Sequence, residues 1–121
     1  MGTIFHIAKK EKWKRSSSRS HYTEDSLQSE GFIHCSTAEQ LVDTANKHFK
    51  GQSDLVLLKI NTNDIVSVIA YEANAENGET YPHIFGPITH GAIKEVIEFH
   101  NTNLSNNEVH NKALNLLDLV G

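Results

Sequence analysis

Cysteine is nearly absent from this chain of 121 residues: Cys35 stands alone, beside two prolines, one tryptophan and one methionine. A single thiol excludes an internal disulfide and suits a reducing compartment, so the cytoplasm is the expected setting. Long apolar runs are missing as well. None approaches the roughly 18–20 residues that span a bilayer, so no membrane partner is expected. The first residues, Met1 to His6, lack the basic and apolar regions of a secretory leader. His6 also stands where a myristoylation context wants Ser or Thr. Positive charge is short overall. The formal net charge of -4 argues against general nucleic-acid binding, while an RNA end stays open as a partner.

What is present fits one ordinary domain. A hydrophobic content of 38% and a charged content of 21% support a single real core. The charge is unevenly spread. Residues 1–19 hold six basic side chains (Lys9, Lys10, Lys12, Lys14, Arg15, Arg19) against one acid, Glu11, whereas the remainder has five basic and fourteen acidic residues. A solvated basic loop is the simpler reading of that segment, an anionic ligand the alternative.

Periodicity and turn chemistry predict the elements. Thr3–Ile7 reads as a central strand and Ala8–Arg15 as a helix anchored by Trp13. Ser16–Ser20 is a loop, and His21–Leu27 a brief extended piece and turn held by Tyr22 and Leu27. Gly31 opens a short strand that runs into a helix over Ser36–Lys50, started by a capping box of Ser36 with Glu39 or Thr37 with Gln40. Leu41, Val42, Ala45, His48 and Phe49 form that helix's apolar face. Leu55–Ile60 is apolar enough to be covered on both sides. Ile65–Glu72 and Ala92–Phe99 are further strands, with a loop at Asn74–Glu79. Pro82 and Pro87 make Tyr81–Ile88 an edge strand or irregular segment. The expected fold is a single α+β domain over residues 1–100, with a curved, split, mostly antiparallel sheet. Residues 101–121 read as a polar linker and an amphipathic helix (Val109, Ala113, Leu116, Leu117, Val120). A monomer or weak homodimer is expected.

Three of the eight histidines share one context: Phe5-His6-Ile7, Ile33-His34-Cys35 and Pro82-His83-Ile84. Side chains alternate along strands. With Phe5, Ile7, Ile33, Cys35 and Ile84 inward, His6, His34 and His83 gather on the opposite face at one cleft. Three unpartnered buried imidazoles would cost a few kcal/mol each, which favours a polar, functional cleft. A neutral imidazole holds a hydroxyl or pyrophosphate oxygen, and a cationic one stabilises developing negative charge. A zinc site of three His and a Glu is the alternative chemistry, although no spacing is a metal motif. Cys35 is expected in the core, and His21, His48, His90, His100 and His110 in structural roles.

Four blocks then carry a resemblance: Ile4-Phe5-His6-Ile7, Glu30-Gly31-Phe32-Ile33-His34-Cys35-Ser36, Leu55-Val56-Leu57-Leu58, and Tyr81-Pro82-His83-Ile84-Phe85-Gly86-Pro87-Ile88. In that order over residues 3–99 they resemble a small bacterial family, domain of unknown function 952. Trp13, Tyr22, Ser26-Leu27 and Tyr71-Glu72 also sit where that family has them. The family is similar in fold to the ADP-ribosyltransferase-like superfamily, which includes the RNA 2′-phosphotransferases. The resemblance implies a cleft that binds a nucleotide-like anion, with NAD as cofactor and ADP-ribosyl or phosphoryl transfer as the activity. By the same likeness His6, His34, His83 and Glu72 are catalytic, while His6, Ser36, Thr37 and Tyr22 bind the cofactor. The sequence departs from the better-studied transferases in lacking an evident Tyr at the second motif and a certain Glu at the third. A non-catalytic binding or interaction module on the same fold is the alternative, and a metal-dependent hydrolase a third.

Overall fold

A strand that is apolar at consecutive positions must be covered on both sides. In the computed structural model, which describes residues 2–101, the strand around Leu55–Ile60 forms the middle of a three-layer stack. The elements are β1 (Thr3–Lys9), α1 (Lys10–Ser16), β2 (His21–Tyr22), α2 (Asp25–Ser29), β3 (Ile33–His34), α3 (Leu41–His48), β4 (Gln52–Asn61), β5 (Ile69–Ala73), β6 (Thr80–Ile84), β7 (Ile88–Thr89) and β8 (Ile93–Asn101). The 3-10 turns Ala38–Gln40, Thr62–Asp64 and His90–Ala92 lead into α3 or link strands.

All strand pairs are antiparallel. They form two three-stranded sheets, β1-β4-β8 and β3-β6-β5, and the two-stranded pair β2-β7. The larger sheets meet at one place. There the Phe5 N–H donates to the Ser36 carbonyl and the Ser36 N–H to the Phe5 carbonyl, each at 2.8 Å. The expected split α+β sheet is therefore present as open antiparallel sheets with few helices. No helix among the described residues is long and apolar enough to cross a membrane. The helix expected beyond residue 101 lies outside the described residues.

The core has two parts, and this corrects the sequence expectation of one buried face on β1. Ile4, Ala8, Val56, Leu58 and Ile60 point towards Tyr22, Ile33, Cys35, Ile84 and Ile88 of the smaller sheets. Phe5, Ile7, Leu55 and Leu57 point the other way, onto Leu41 and Ala45 of α3 and Phe99. Phe5 and Ile7 thus share no core with Ile33, Cys35 and Ile84. His6 alternates with Phe5 and Ile7, and so falls on the Ile4–Ala8 side, between layers rather than in an open cleft. His48 is exposed rather than on the apolar face of α3. The capping box uses Thr37 and Gln40, not Ser36 and Glu39.

Strand β6 departs from expectation too: it is the central strand of its sheet despite Pro82. Pro82 accepts from the Cys35 N–H at 3.0 Å, so its hydrogen-bonding edge faces β3, beyond the last paired residue there. One ladder bond is missing where β3 already turns away, and the β5 side stays intact. The predicted strand over Ile65–Glu72 begins only at Ile69, because Val66 and Val68 are exposed in the preceding segment.

Gly86 lies against that segment. A Cβ built on it would come within 2.8 Å of the Ser67 Cβ. Gly86→Ala is therefore expected to lower stability in urea unfolding by about 1–3 kcal/mol. Combined with Ser67→Gly, it should cost less than the sum of the two single changes, since the second removes the clashing atoms. An additive double mutant would show that the two segments do not meet as described.

Candidate functional site

The three histidines do not converge on one cleft; each is bound to a glutamate of its own. His6 is 7% exposed, and both of its ring nitrogens face oxygen atoms. Its Nδ1 lies 2.5 Å from the His34 carbonyl oxygen and its Nε2 3.0 Å from Glu24 Oε2. A carbonyl and a carboxylate are both satisfied by the ring only when both nitrogens carry hydrogen, as the imidazolium. The Tyr22 hydroxyl donates to the same Glu24 oxygen, and Lys12 Nζ sits 3.4 Å from the other. Lys12 also reaches Asp25 at 3.0 Å.

This buried group is electrostatically closed. Burial alone would raise the Glu24 carboxyl, but the hydrogen bond and charge of His6, with Tyr22 and Lys12, outweigh it and hold its pKa at about 2. Burial and the neighbouring carboxylate push the Tyr22 hydroxyl far up. Burial lowers and the Asp25 and Glu24 carboxylates raise the Lys12 ammonium, with a net rise. Burial likewise drives the Cys35 thiol up and leaves it inert.

His34 and His83 form the second group. They are directly opposed cross-strand partners in the β3–β6 ladder, with ring centroids 5.2 Å apart. Alternation puts Phe32 and His34 of the β3 segment, His83 and Phe85 of the β6 segment, and Glu72 of β5 on one outer sheet face. His83 Nδ1 donates to Glu72 Oε1 at 2.6 Å, and Phe32 stacks on the ring at 4.0 Å with planes 10° apart. In the neutral ring that donation places the hydrogen on Nδ1 and makes Nε2 the acceptor. His34 Nε2 lies 3.2 Å from Glu30 Oε2. Gly31 makes this placement feasible. Its φ of 92° ends α2, its N–H donating to the Ser26 and Leu27 carbonyls, so that the chain turns straight into Phe32 and β3.

The remaining predicted residues do other work. Ser36 is buried, its hydroxyl 2.9 Å from Thr44 Oγ1, and its backbone carries the join between sheets. Thr37 caps the 3-10 turn. Neither offers a free hydroxyl at an open helix start. Among the described residues no three His, Cys, Asp or Glu side chains are placed to hold one metal ion, because His6 is held apart from the other two. Sequence reasoning missed Glu24, Glu30 and Phe32. Glu30 stands four residues before His34 and Glu24 two after Tyr22, a pattern visible only once the strand pairing is known.

The structure is a small α+β domain in which three histidines are each paired with a glutamate. A family model described as "Protein of unknown function (DUF952)" matches residues 7–96, and the chain belongs to that family. Protein CC0527 from Caulobacter crescentus has the same fold. Its crystal structure aligns with a TM-score of 0.79 at 24% identity, over 98% of this chain and 97% of that one. Its solution NMR structure gives 0.73 at 25% identity over the same shares. No curated protein matches the sequence.

Glu24 yields a pH prediction. Its folded pKa is lowered from 4.5 to about 2, so its contribution is complete above pH 4.5 and is lost as the pH falls through about 2. Glu24→Gln is expected to cost on the order of 2–3 kcal/mol at pH 7 and to match the wild type in stability near pH 2. Urea midpoints measured from pH 7 to 2 check this. A constant difference across the range would rule out the carboxylate's charge as the cause.

Proposed function

We propose that the protein is a transferase acting on a nucleotide-like ligand, with NAD as the leading candidate, and that His34, His83 and Glu72 carry the acid–base step. The observation behind this is the 2.6 Å bond from His83 Nδ1–H to Glu72, which orients an Nε2 that no described residue engages, beside a second imidazole. The two blocks of sequence that carry the family resemblance, Glu30–Ser36 and Tyr81–Ile88, are the ones that pair to build this face. The join between two separate sheets supports kinship with the ADP-ribosyltransferase-like fold.

Local charge favours ADP-ribosyl over phosphoryl transfer. Glu30 and Glu72 stand among the rings, and their partners there are histidines. Such a face stabilises a cationic centre better than a transferring phosphoryl group, which wants Arg or Lys. In the proposed step the glycosidic bond to nicotinamide breaks, its electron pair neutralises the pyridinium nitrogen, and an oxocarbenium-like ribose forms. An acceptor hydroxyl adds to that carbon and gives its proton to His83 Nε2, with Glu72 stabilising the resulting imidazolium. Phe32 and Phe85, 5.4 Å apart, offer aromatic surface for the ligand's rings. His6 then positions β3 through the His34 carbonyl and touches no substrate.

The second reading, a non-catalytic binding module, draws on the apolar side chains exposed on this side of the sheet: Val68 at 69% and Phe85 at 39%. Nicotinamide release from NAD, followed by chromatography, separates the two. Turnover that falls by about 10²–10⁴ in His83→Gln supports the transferase, as does a smaller loss in Glu72→Gln. Shifts of the Phe32, His34 and His83 resonances with NAD but no release would favour the module. No shift and no release would remove the transferase and leave an interaction module in front.

A further inference from the structure

The basic N-terminal segment is not a solvated loop. It is α1 with its following turn, and it walls a cleft of about 440 Å³ against the β2–α2 segment. That volume suits a small ligand. Lys12, Arg15, Arg19 and His21 line it on one side, with Thr23, Glu24 and Asp25 on the other, both carboxylates being paired with Lys12. None of His34, His83 or Glu72 does.

The cations in this cleft differ in how they are engaged. Lys12 is tied to Glu24 and Asp25, which already have their partners. Arg15 and Arg19 make no salt bridge among the described residues, and both are exposed. Two free guanidinium forks on one rim match two linked phosphates, since each fork takes a phosphate through parallel N–H bonds. A second hollow of about 590 Å³ shares Lys12 and Arg15 and adds Lys9 and Lys14, so the field around α1 is positive on a chain that is acidic elsewhere.

We infer that this cleft is a binding site for a small ligand bearing two linked phosphates, such as a nucleoside diphosphate, with Arg15 and Arg19 as its anchors. The inference stands apart from the acid–base face, since binding here needs no turnover. The network of His6, Tyr22, Glu24 and Lys12 ties α1 to the wall of this cleft. Glu24, with its oxygens occupied, offers its exposed edge to ribose hydroxyls.

Calorimetry with inorganic pyrophosphate, ADP and inorganic phosphate, at 50 and 200 mM salt, tests the site. Pyrophosphate and ADP are expected to bind at least tenfold tighter than phosphate and to weaken with salt. Arg15→Ala and Arg19→Ala should each weaken them tenfold or more, Arg19→Lys less so, with an unchanged amide spectrum as the folding control. Pyrophosphate binding is read without turnover and without a base or ribose, which keeps failure here distinct from failure of the transferase reading. Absent binding at millimolar ligand would overturn the inference, as would affinity indifferent to both arginines. A single-stranded oligonucleotide that binds tighter than ADP would overturn it in favour of a nucleic-acid surface.

Discussion

The structure depends on a polar residue placed where three layers leave no water. His6 sits on β1 between the central sheet and the smaller ones, and its two nitrogens have only oxygen acceptors to meet. An imidazole left unpaired there would cost a few kcal/mol, so the interior has to be built around its partners. Nδ1 fixes the carbonyl of His34, and with it the end of β3. Nε2 fixes Glu24, which in turn holds the Tyr22 hydroxyl and Lys12 of α1. One side chain thereby ties together the strand that carries the outer histidine pair and the helix that walls the basic cleft. The backbone join of Phe5 to Ser36 lies one residue away and completes the same seam.

Much of the fold was legible because β4 and β1 announce themselves. Leu55, Val56, Leu57, Leu58 and Ile60 leave no polar face, and a strand of that kind sits in the middle of something. The cap at Thr37 and Gln40 was readable for a similar reason, since its chemistry is local. What could not be read was which side of β1 meets which layer. Alternation says that Phe5 and His6 point apart, but not that both directions are interior. The one-cleft expectation for His6, His34 and His83 failed on that point alone. Pro82 misled in the same way: proline forbids one ladder bond, and only the pairing reveals that its partner strand has already turned off.

The candidate site was legible as residue types more than as groups. His34, His83 and Glu72 do meet, through cross-strand register that no sequence spacing displays. Ser36 and Thr37 looked like free hydroxyls at a helix start and are consumed by Thr44 and by the cap. Each predicted histidine found a glutamate, and two of those three, Glu24 and Glu30, were invisible because their pairing depends on how α2 folds back. Buried or half-buried imidazoles recruit carboxylates for the same reason that His6 needs acceptors, so the repeated His–Glu pairing is one physical rule applied at three depths.

Those depths decide what each pair can do. The His6–Glu24 pair is closed by three further groups, the His34 carbonyl, Tyr22 and Lys12, so its energy goes into holding the seam. The His34–Glu30 pair is half open, with side chains 53% and 50% exposed, and water competes for both partners. His83 lies between them. At 13% exposure and stacked on Phe32, its ring cannot rotate freely, yet its second nitrogen is not claimed by any described residue. A group held rigidly on one side and free on the other is the condition for proton transfer rather than for stability. The basic charge of α1 is kept off this face, where it would oppose a developing cation, and gathered at a cleft of its own. Anion affinity and acid–base chemistry make opposite demands on local potential, and the two proposed sites lie on different elements joined through His6.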